Sequence, residues 1–177
     1  MTPQDLFRFC PRCGAAVAPG GSPLRCPACD LTLFFNPTVA AGAFVFNPAG
    51  EVLLTRRAKE PAKGKFGIPG GFLDFGESAE DGLRREIREE VNLEVTAVRL
   101  LCSAPNSYDY KGVTYPVCDL IFIAEVVEAA VAAAADEVAG FEWRTPAAVD
   151  PAEMAFPSMK VGLRFLADGH RGFVERR

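Results

Sequence analysis

Four of the chain's six cysteines fall within its first thirty residues. Cys10, Cys13, Cys26 and Cys29 form two C-x-x-C pairs with twelve residues between them. Each such turn aims two thiolates at one ion, and two turns complete a tetrahedron. The segment is therefore expected to hold Zn2+. Gly14 and Asp30 each follow a pair and tolerate the left-handed backbone that closes such a knuckle. Pro11 and Pro27 stiffen the turns. Two disulfides are the competing reading. They fit poorly with a start, MTPQDLFRFCPRCG, that lacks a cationic region and an apolar signal core. A ribbon this short cannot build a sufficient core alone, so the metal supplies much of its folding free energy. Its basic residues are Arg8, Arg12 and Arg25, opposed by Asp5 and Asp30. That sparse charge favours a structural brace over a dimerisation element or a nucleic-acid contact.

The remaining length suits one domain of ordinary size. Hydrophobic residues make up 49% and charged residues 24%, the balance of an ordered globular chain. A net charge of −4 provides no broad footprint for nucleic acid. No apolar run reaches the ~18–20 residues of a membrane span, so no membrane partner is expected and the expected location is the cytoplasm.

Asn36-Pro37-Thr38 reads as the junction between the ribbon and a main domain. VAAGAFVF and EVLLTRR read as two strands joined by the turn NPAG. AKEPAKGKFGIPGGF is a loop, SAEDGLRREIREEV a helix, and LEVTAVRLLCSA and YPVCDLIFIAEVV are strand regions. FEWRT is a short strand, and PAAVDPAEM and PSMKVGLRFLADG are helix candidates. This order indicates an α/β domain. The expected division is a ribbon over 1–36, a main domain over 37–150, and a C-terminal helix and tail over 151–177.

The helix from Ser78 to Val91 is the most informative element. Ala79, Leu83, Ile87 and Val91 form a stripe that faces a core. With Ile87 at zero on a helical wheel, Glu90, Glu86 and Glu89 fall at roughly −60°, −100° and −160°. Arg84 and Arg88 occupy the other flank. Glu86 and Glu90 repel each other at four residues' spacing, at a cost of about 0.2–0.5 kcal/mol. All three acids also sit toward the helix end where the macrodipole disfavours anions. A solvated, salt-bridged face explains 80–85 well and 86–90 poorly. A bound divalent cation reverses the penalty, and carboxylates without histidine favour Mg2+ or Mn2+. The chain's only histidine, His170, lies near the C-terminus.

The segment Gly71 to Leu93, GFLDFGESAEDGLRREIREEVNL, resembles the Nudix box. Gly71, Glu77, Arg85, Glu86, Ile87, Glu89, Glu90 and Leu93 match in register. Asn92 stands where the family has glycine, at a site that closes the helix in a left-handed conformation; asparagine is the next-best residue there. The resemblance covers about residues 37–150. It implies an α/β/α sandwich around a mixed sheet, and hydrolysis of a nucleoside diphosphate linked to another group. It assigns metal binding to Glu86, Glu89 and Glu90, a Glu77–Arg85 pair that fixes the loop to the helix, and close backbone approach to the metal at Gly70 and Gly71. A water nucleophile also needs a base. In the family this is often a glutamate before a tryptophan-bearing strand. Glu137, six residues before Trp143, is the first choice here, followed by Asp136, Glu90 or Glu89.

Candidate substrate residues are Arg56 and Arg57, as cationic partners for a diphosphate, and Tyr108, for stacking on a base. A zinc ribbon before such a domain resembles the NADH pyrophosphatases. Their SQPWPFPxS motif is met here by Ser103-Ala-Pro-Asn-Ser-Tyr-Asp-Tyr-Lys111, in which only Ser103 and Pro105 match. The layout is closer to ribbon-bearing relatives that cleave ADP-ribose or FAD. Clean-up of oxidised nucleoside triphosphates and a non-catalytic nucleotide sensor are the alternatives. A homodimer is expected by analogy with the family.

Overall fold

The computed structural model describes residues 1–127 and 138–168. Its residues fall into two compact units. One comprises Met1–Thr38 with Ser107–Val117; the other comprises Val39–Asn106 with the chain from Cys118 onward.

The first unit carries two short antiparallel strands, β1 (Leu24–Arg25) and β2 (Thr32–Leu33), with Leu24 opposite Leu33. Its buried side chains include Cys10, Leu24 and Cys26. Phe7 and Phe35 meet with ring centroids 5.3 Å apart. The Thr114 amide donates to the Met1 carbonyl at 2.8 Å, which fastens the segment 107–117 to the N-terminus.

The larger sheet is built on β3 (Thr38–Phe46), β4 (Val52–Arg57), β5 (Phe66–Gly67), β6 (Gly70–Phe72), β7 (Val95–Tyr110), β8 (Val113–Val126) and β9 (Val138–Arg144); Thr38 and the ends of β7 and β8 within Ser107–Val117 belong to the first unit, the rest to the second. The main path runs β5-β4-β3-β8-β7; β6 pairs with β3 and β9 pairs with β4. Two helices, α1 (Ala79–Val91) and α2 (Pro157–Ala167), cover it. Strand alternation assigns the two cores. On β8, Phe122, Ala124 and Val126 join a cluster with Leu83, Ile87 and Val91 of α1. Ile121 and Ile123 join a second cluster with Leu163 and Leu166 of α2. Burial of each large side chain in these clusters contributes about 1.5–3 kcal/mol. α2 lies close on the sheet because position 162 is glycine: a Cβ there would stand 2.9 Å from both Ile121 Cγ2 and Phe44 Cε2. This is the α/β/α sandwich the sequence indicated. Among the described residues, no helix is long and apolar enough to cross a membrane.

The helix ends follow the residues. The Ser78 hydroxyl accepts from the Asp81 amide at the N-terminus of α1. At the other end Asn92 is left-handed, φ 52° and ψ 40°, and its N–H donates to the Arg88 carbonyl. Asn92→Ala should cost about 1 kcal/mol in denaturant unfolding, because Ala gains no compensation for that backbone. Asn92→Gly should be neutral or slightly stabilising. Two stretches differ from expectation. Residues 146–154, expected as a helix, form two 3-10 turns, Pro146–Ala148 and Pro151–Glu153. Pro151 has no N–H to continue a helix, and the Asp150 side chain takes the Ala152 amide to start a new turn. The loop 58–72 contains the short strands β5 and β6, which its Gly and Pro content concealed.

Candidate active site

α1 and the loop that precedes it build one carboxylate-rich site. Leu83, Ile87 and Val91 are fully buried, so the flank carrying Glu86, Glu89 and Glu90 is held at a fixed angle to the sheet. Arg85 organises it. Its Nε and Nη2 form a two-pronged pair with Glu77 at 2.7 and 2.9 Å. Its Nη1 donates to Glu86 at 2.8 Å and to Glu89 at 3.2 Å. Nη2 also reaches the Phe72 carbonyl at 3.2 Å. One guanidinium thereby ties β6, the loop and the helix together, which is why lysine would be a poor substitute. The Arg85 hydrogen bonds, with a further one from the Asp74 amide, hold Glu77 down at about 2. The same carboxylates raise Arg85 above its ordinary value. The Glu77–Arg85 pairing expected from the sequence is present.

Two adjacent glycines form the floor. The Gly70 amide donates to Glu90 Oε2 at 3.0 Å. A Cβ on Gly71 would stand 2.6 Å from Glu86 Cδ and 2.7 Å from both its oxygens. The backbone and the Glu86 carboxylate thus meet where only glycine fits. Glu86 and Glu90 meet this floor and Glu89 shares the Arg85 guanidinium with Glu86; their oxygens do not all lie within 4.8 Å of one another here, but as a donor set they suit a hard cation such as Mg2+ or Mn2+, which takes oxygen ligands. Glu86 side-chain exposure is 18% and that of Glu89 is 60%, so the flank runs from sheltered to open. Gly82 and Asp74 were not singled out in the sequence. A Cβ on Gly82 would stand 2.5 Å from Leu73 Cδ2 and 2.9 Å from Glu77 Oε2, so this glycine makes room for the Glu77 carboxylate.

The four cysteines form a separate centre in the first unit. Their sulfurs all lie within 4.8 Å of one another, and among the described residues no other group of three or more ligand atoms does so. Cys10 and Cys29 sulfurs are 3.7 Å apart, and those of Cys13 and Cys26 are 3.6 Å apart. A tetrahedron with ~2.3 Å metal–sulfur bonds has edges of roughly 3.8 Å, so the cage suits Zn2+. The two knuckles are matched: the Gly14 amide donates to the Cys10 carbonyl, and the Asp30 amide to the Cys26 carbonyl. Gly14 and Asp30 have φ of 75° and 56°, the left-handed geometry read from their positions.

The candidate substrate residues fall in both units. Arg56 is exposed on β4, and its guanidinium lies 4.2 Å from the Phe66 ring centroid. Arg57 is half-buried; it donates to the Pro61 carbonyl at 2.8 Å and lies over Phe156. Tyr108 is half-buried on β7 and belongs to the first unit. Glu137, Asp136 and His170 lie outside the described residues.

The NUDIX domain signature matches residues 36–165. The NAD-capped RNA hydrolase NudC of Pseudomonas fluorescens is 29% identical over 163 residues, which are 91% of this chain and 55% of the relative. The ADP-ribose pyrophosphatase of Methanocaldococcus jannaschii is 34% identical over 97 residues, 54% of each chain. The chain spans about half the length of these curated relatives. Among solved structures, a NUDIX hydrolase from Nitrosomonas europaea aligns with a TM-score of 0.71 at 25% identity and covers 94% of each chain. With a signature that runs through the glycine floor, the Arg85 clasp and the glutamate flank, the chain belongs to the NUDIX domain family.

Proposed function

We propose that this protein hydrolyses the diphosphate linkage of a nucleoside diphosphate derivative, such as ADP-ribose, FAD or a related dinucleotide. The observation that carries the reading is the glutamate flank clasped by Arg85 over a floor that admits only glycine. Glu86, Glu89 and Glu90 would hold Mg2+ or Mn2+. The chemistry supplied by the bound ions is neutralisation of phosphate charge and acidification of a water. Glu77 and Arg85 act by position: they keep the loop and the helix in register while the carboxylates engage their ligand. Arg56 offers a cation to phosphate oxygens. A carboxylate accepts the proton of the attacking water as it adds to phosphorus, and Glu137 is assigned that task. The P–O bond of the anhydride breaks, and the products are two phosphate monoesters. From ADP-ribose these are AMP and ribose 5-phosphate. Zn2+ in the Cys10–Cys13–Cys26–Cys29 cage has a structural role.

A panel of ADP-ribose, FAD, NADH and oxidised deoxynucleoside triphosphates, with Mg2+ or Mn2+ and product analysis, tests this. AMP released from ADP-ribose or FAD is the expected result. Faster release of pyrophosphate from the triphosphates would instead assign a clean-up role. Binding without turnover of any substrate would assign a sensor.

A further inference from the structure

A cationic cluster lies at the connection between β4 and β5. Arg56, Lys63, Gly64, Lys65, Phe66 and Glu153 line a cleft of about 330 Å³. Two guanidinium groups rest on the one buried ring of Phe66, Arg56 at 4.2 Å and Arg144 at 4.6 Å from its centroid. Two neighbouring acids pair with Arg144: Glu153 accepts from its Nη1 at 2.7 Å and Glu142 from its Nη2 at 2.9 Å; a third, Glu60, accepts from the Lys63 amide at 3.4 Å. Arg56 is left with a 3.7 Å approach to Glu142 and a 2.8 Å hydrogen bond to the Gly64 carbonyl. Lys63 and Lys65 are exposed, and among the described residues neither has a carboxylate at ion-pair distance. Lys65 Nζ donates to the Ala152 carbonyl at 3.0 Å, which positions its ammonium group. The lining therefore carries three cations against one carboxylate that is already paired.

The cleft is also built in advance. The Arg57 amide donates to the Lys65 carbonyl at 3.0 Å, and the Gly64 amide donates to the Arg57 carbonyl at 2.9 Å. With the Arg56 and Arg57 side chains on Gly64 and Pro61, the loop is fastened at four points. Cations carried on a fastened loop, two of them with hydrogen-bonded side chains, bind an anion at a reduced ordering cost. Two ammonium groups and a guanidinium suit a compact dianion with several acceptor oxygens.

We propose that this cleft binds a phosphate monoester that the substrate carries in addition to its anhydride, so the preferred substrates are nucleoside diphosphate derivatives with a further phosphate, such as one on a ribose hydroxyl. Phe66 precedes Gly70 by four residues, so the cleft lies within about 14 Å, along the chain, of the amide that holds Glu90. The proposal rests on the hydrolytic reading for its biological sense, but its test does not.

The zinc-loaded protein, without added Mg2+, is titrated with adenosine 2′,5′-bisphosphate, 5′-AMP and inorganic phosphate. The bisphosphate should bind at least about tenfold more tightly than AMP, and the difference should shrink as salt rises. The Lys63→Ala/Lys65→Ala variant, altered only at exposed side chains, should lose that discrimination. Equal affinities in the wild type, or discrimination unchanged in the variant, would overturn the proposal. Inorganic phosphate binding as tightly as the bisphosphate would make the cleft a free-anion site and overturn the substrate assignment. In turnover assays, a dinucleotide with a 2′-phosphate should be favoured in kcat/KM over its unphosphorylated partner, and the variant should erase the ratio. If neither is cleaved, the hydrolytic reading fails while the titration still decides the cleft.

Discussion

Gly71→Ala should give a folded protein whose Mg2+-dependent hydrolysis is about ten- to a hundredfold slower than wild type. The added methyl would stand 2.6 Å from Glu86 Cδ, closer than real contacts allow, so the carboxylate must move. It cannot move without breaking its 2.8 Å hydrogen bond to Arg85, which also clasps Glu77 and Glu89. One methyl thus disturbs the whole carboxylate flank. The backbone at Gly71 is not in the left-handed region, so alanine itself is not strained there. Gly70→Ala should fail differently. Gly70 has φ of 143°, and a Cβ would stand 2.1 Å from the Ala41 carbonyl oxygen and 2.5 Å from Gly42 Cα. Those atoms belong to β3, where Ala41 and Gly42 pair with Gly71 and Gly70. The clash is with backbone, so the β3–β6 pairing must give way, at about 2–5 kcal/mol. Glu86→Gln and Glu90→Gln should match Gly71→Ala in activity and keep wild-type stability. Unfolding midpoints alongside turnover separate the two modes. If Gly71→Ala retained full activity, or the Glu86→Gln/Glu90→Gln double variant still turned over, the assignment of the metal to this flank would be wrong.

The helix and its cap were legible because local rules decide them. The four-residue recurrence of Leu83, Ile87 and Val91 leaves a single face to bury, and those three side chains are buried. A left-handed residue must end the helix, and Asn92 tolerates that conformation. The cysteine cage was legible for the same reason, since the spacing of C-x-x-C is itself the geometry of a knuckle. The strands β5 and β6 were not legible. Each is two or three residues long and rich in glycine, and partners distant in sequence define them: Arg56 for Phe66, and Ala41 for Gly71. The same holds for the cluster of Phe66, Arg144, Glu142 and Glu153. Four residues from three segments meet only once the sheet is formed, and no local pattern announces them. Phe66 is a core residue at 2% exposure and also the platform for two cations.

Removing zinc should unfold the first unit. Metal analysis should find about one zinc per chain, and serine at Cys10 and Cys26 should abolish it. The reason is the scale of what else holds this unit. Its strands β1 and β2 are two residues each, and two of its buried hydrophobic side chains are the cysteines themselves. A core that small does not offset the chain entropy of ordering the segment, so binding free energy and folding free energy are the same quantity here. The thiols already show the competition that a metal resolves. Burial raises the Cys10 thiol, but hydrogen bonds from the Cys13 and Arg12 amides outweigh it and bring Cys10 down to about 6. For Cys29 the Leu31 amide lowers the thiol, but burial and the neighbouring thiols push it up to about 12. Four thiolates cannot coexist in such a cage without a cation, and the metal must displace the remaining protons as it binds. Zinc should therefore be released more readily at low pH, where protons compete for sulfur. Hydrogen exchange followed by mass spectrometry reads the outcome by segment. On treatment with a chelator, amides of residues 8–33 should lose protection, while those of α1 should keep theirs, because Leu83, Ile87 and Val91 are buried in a core of the other unit. Unchanged protection over 8–33 in metal-free protein would show that the four cysteines fold without zinc, and that the sulfur–sulfur distances near 3.7 Å have another cause.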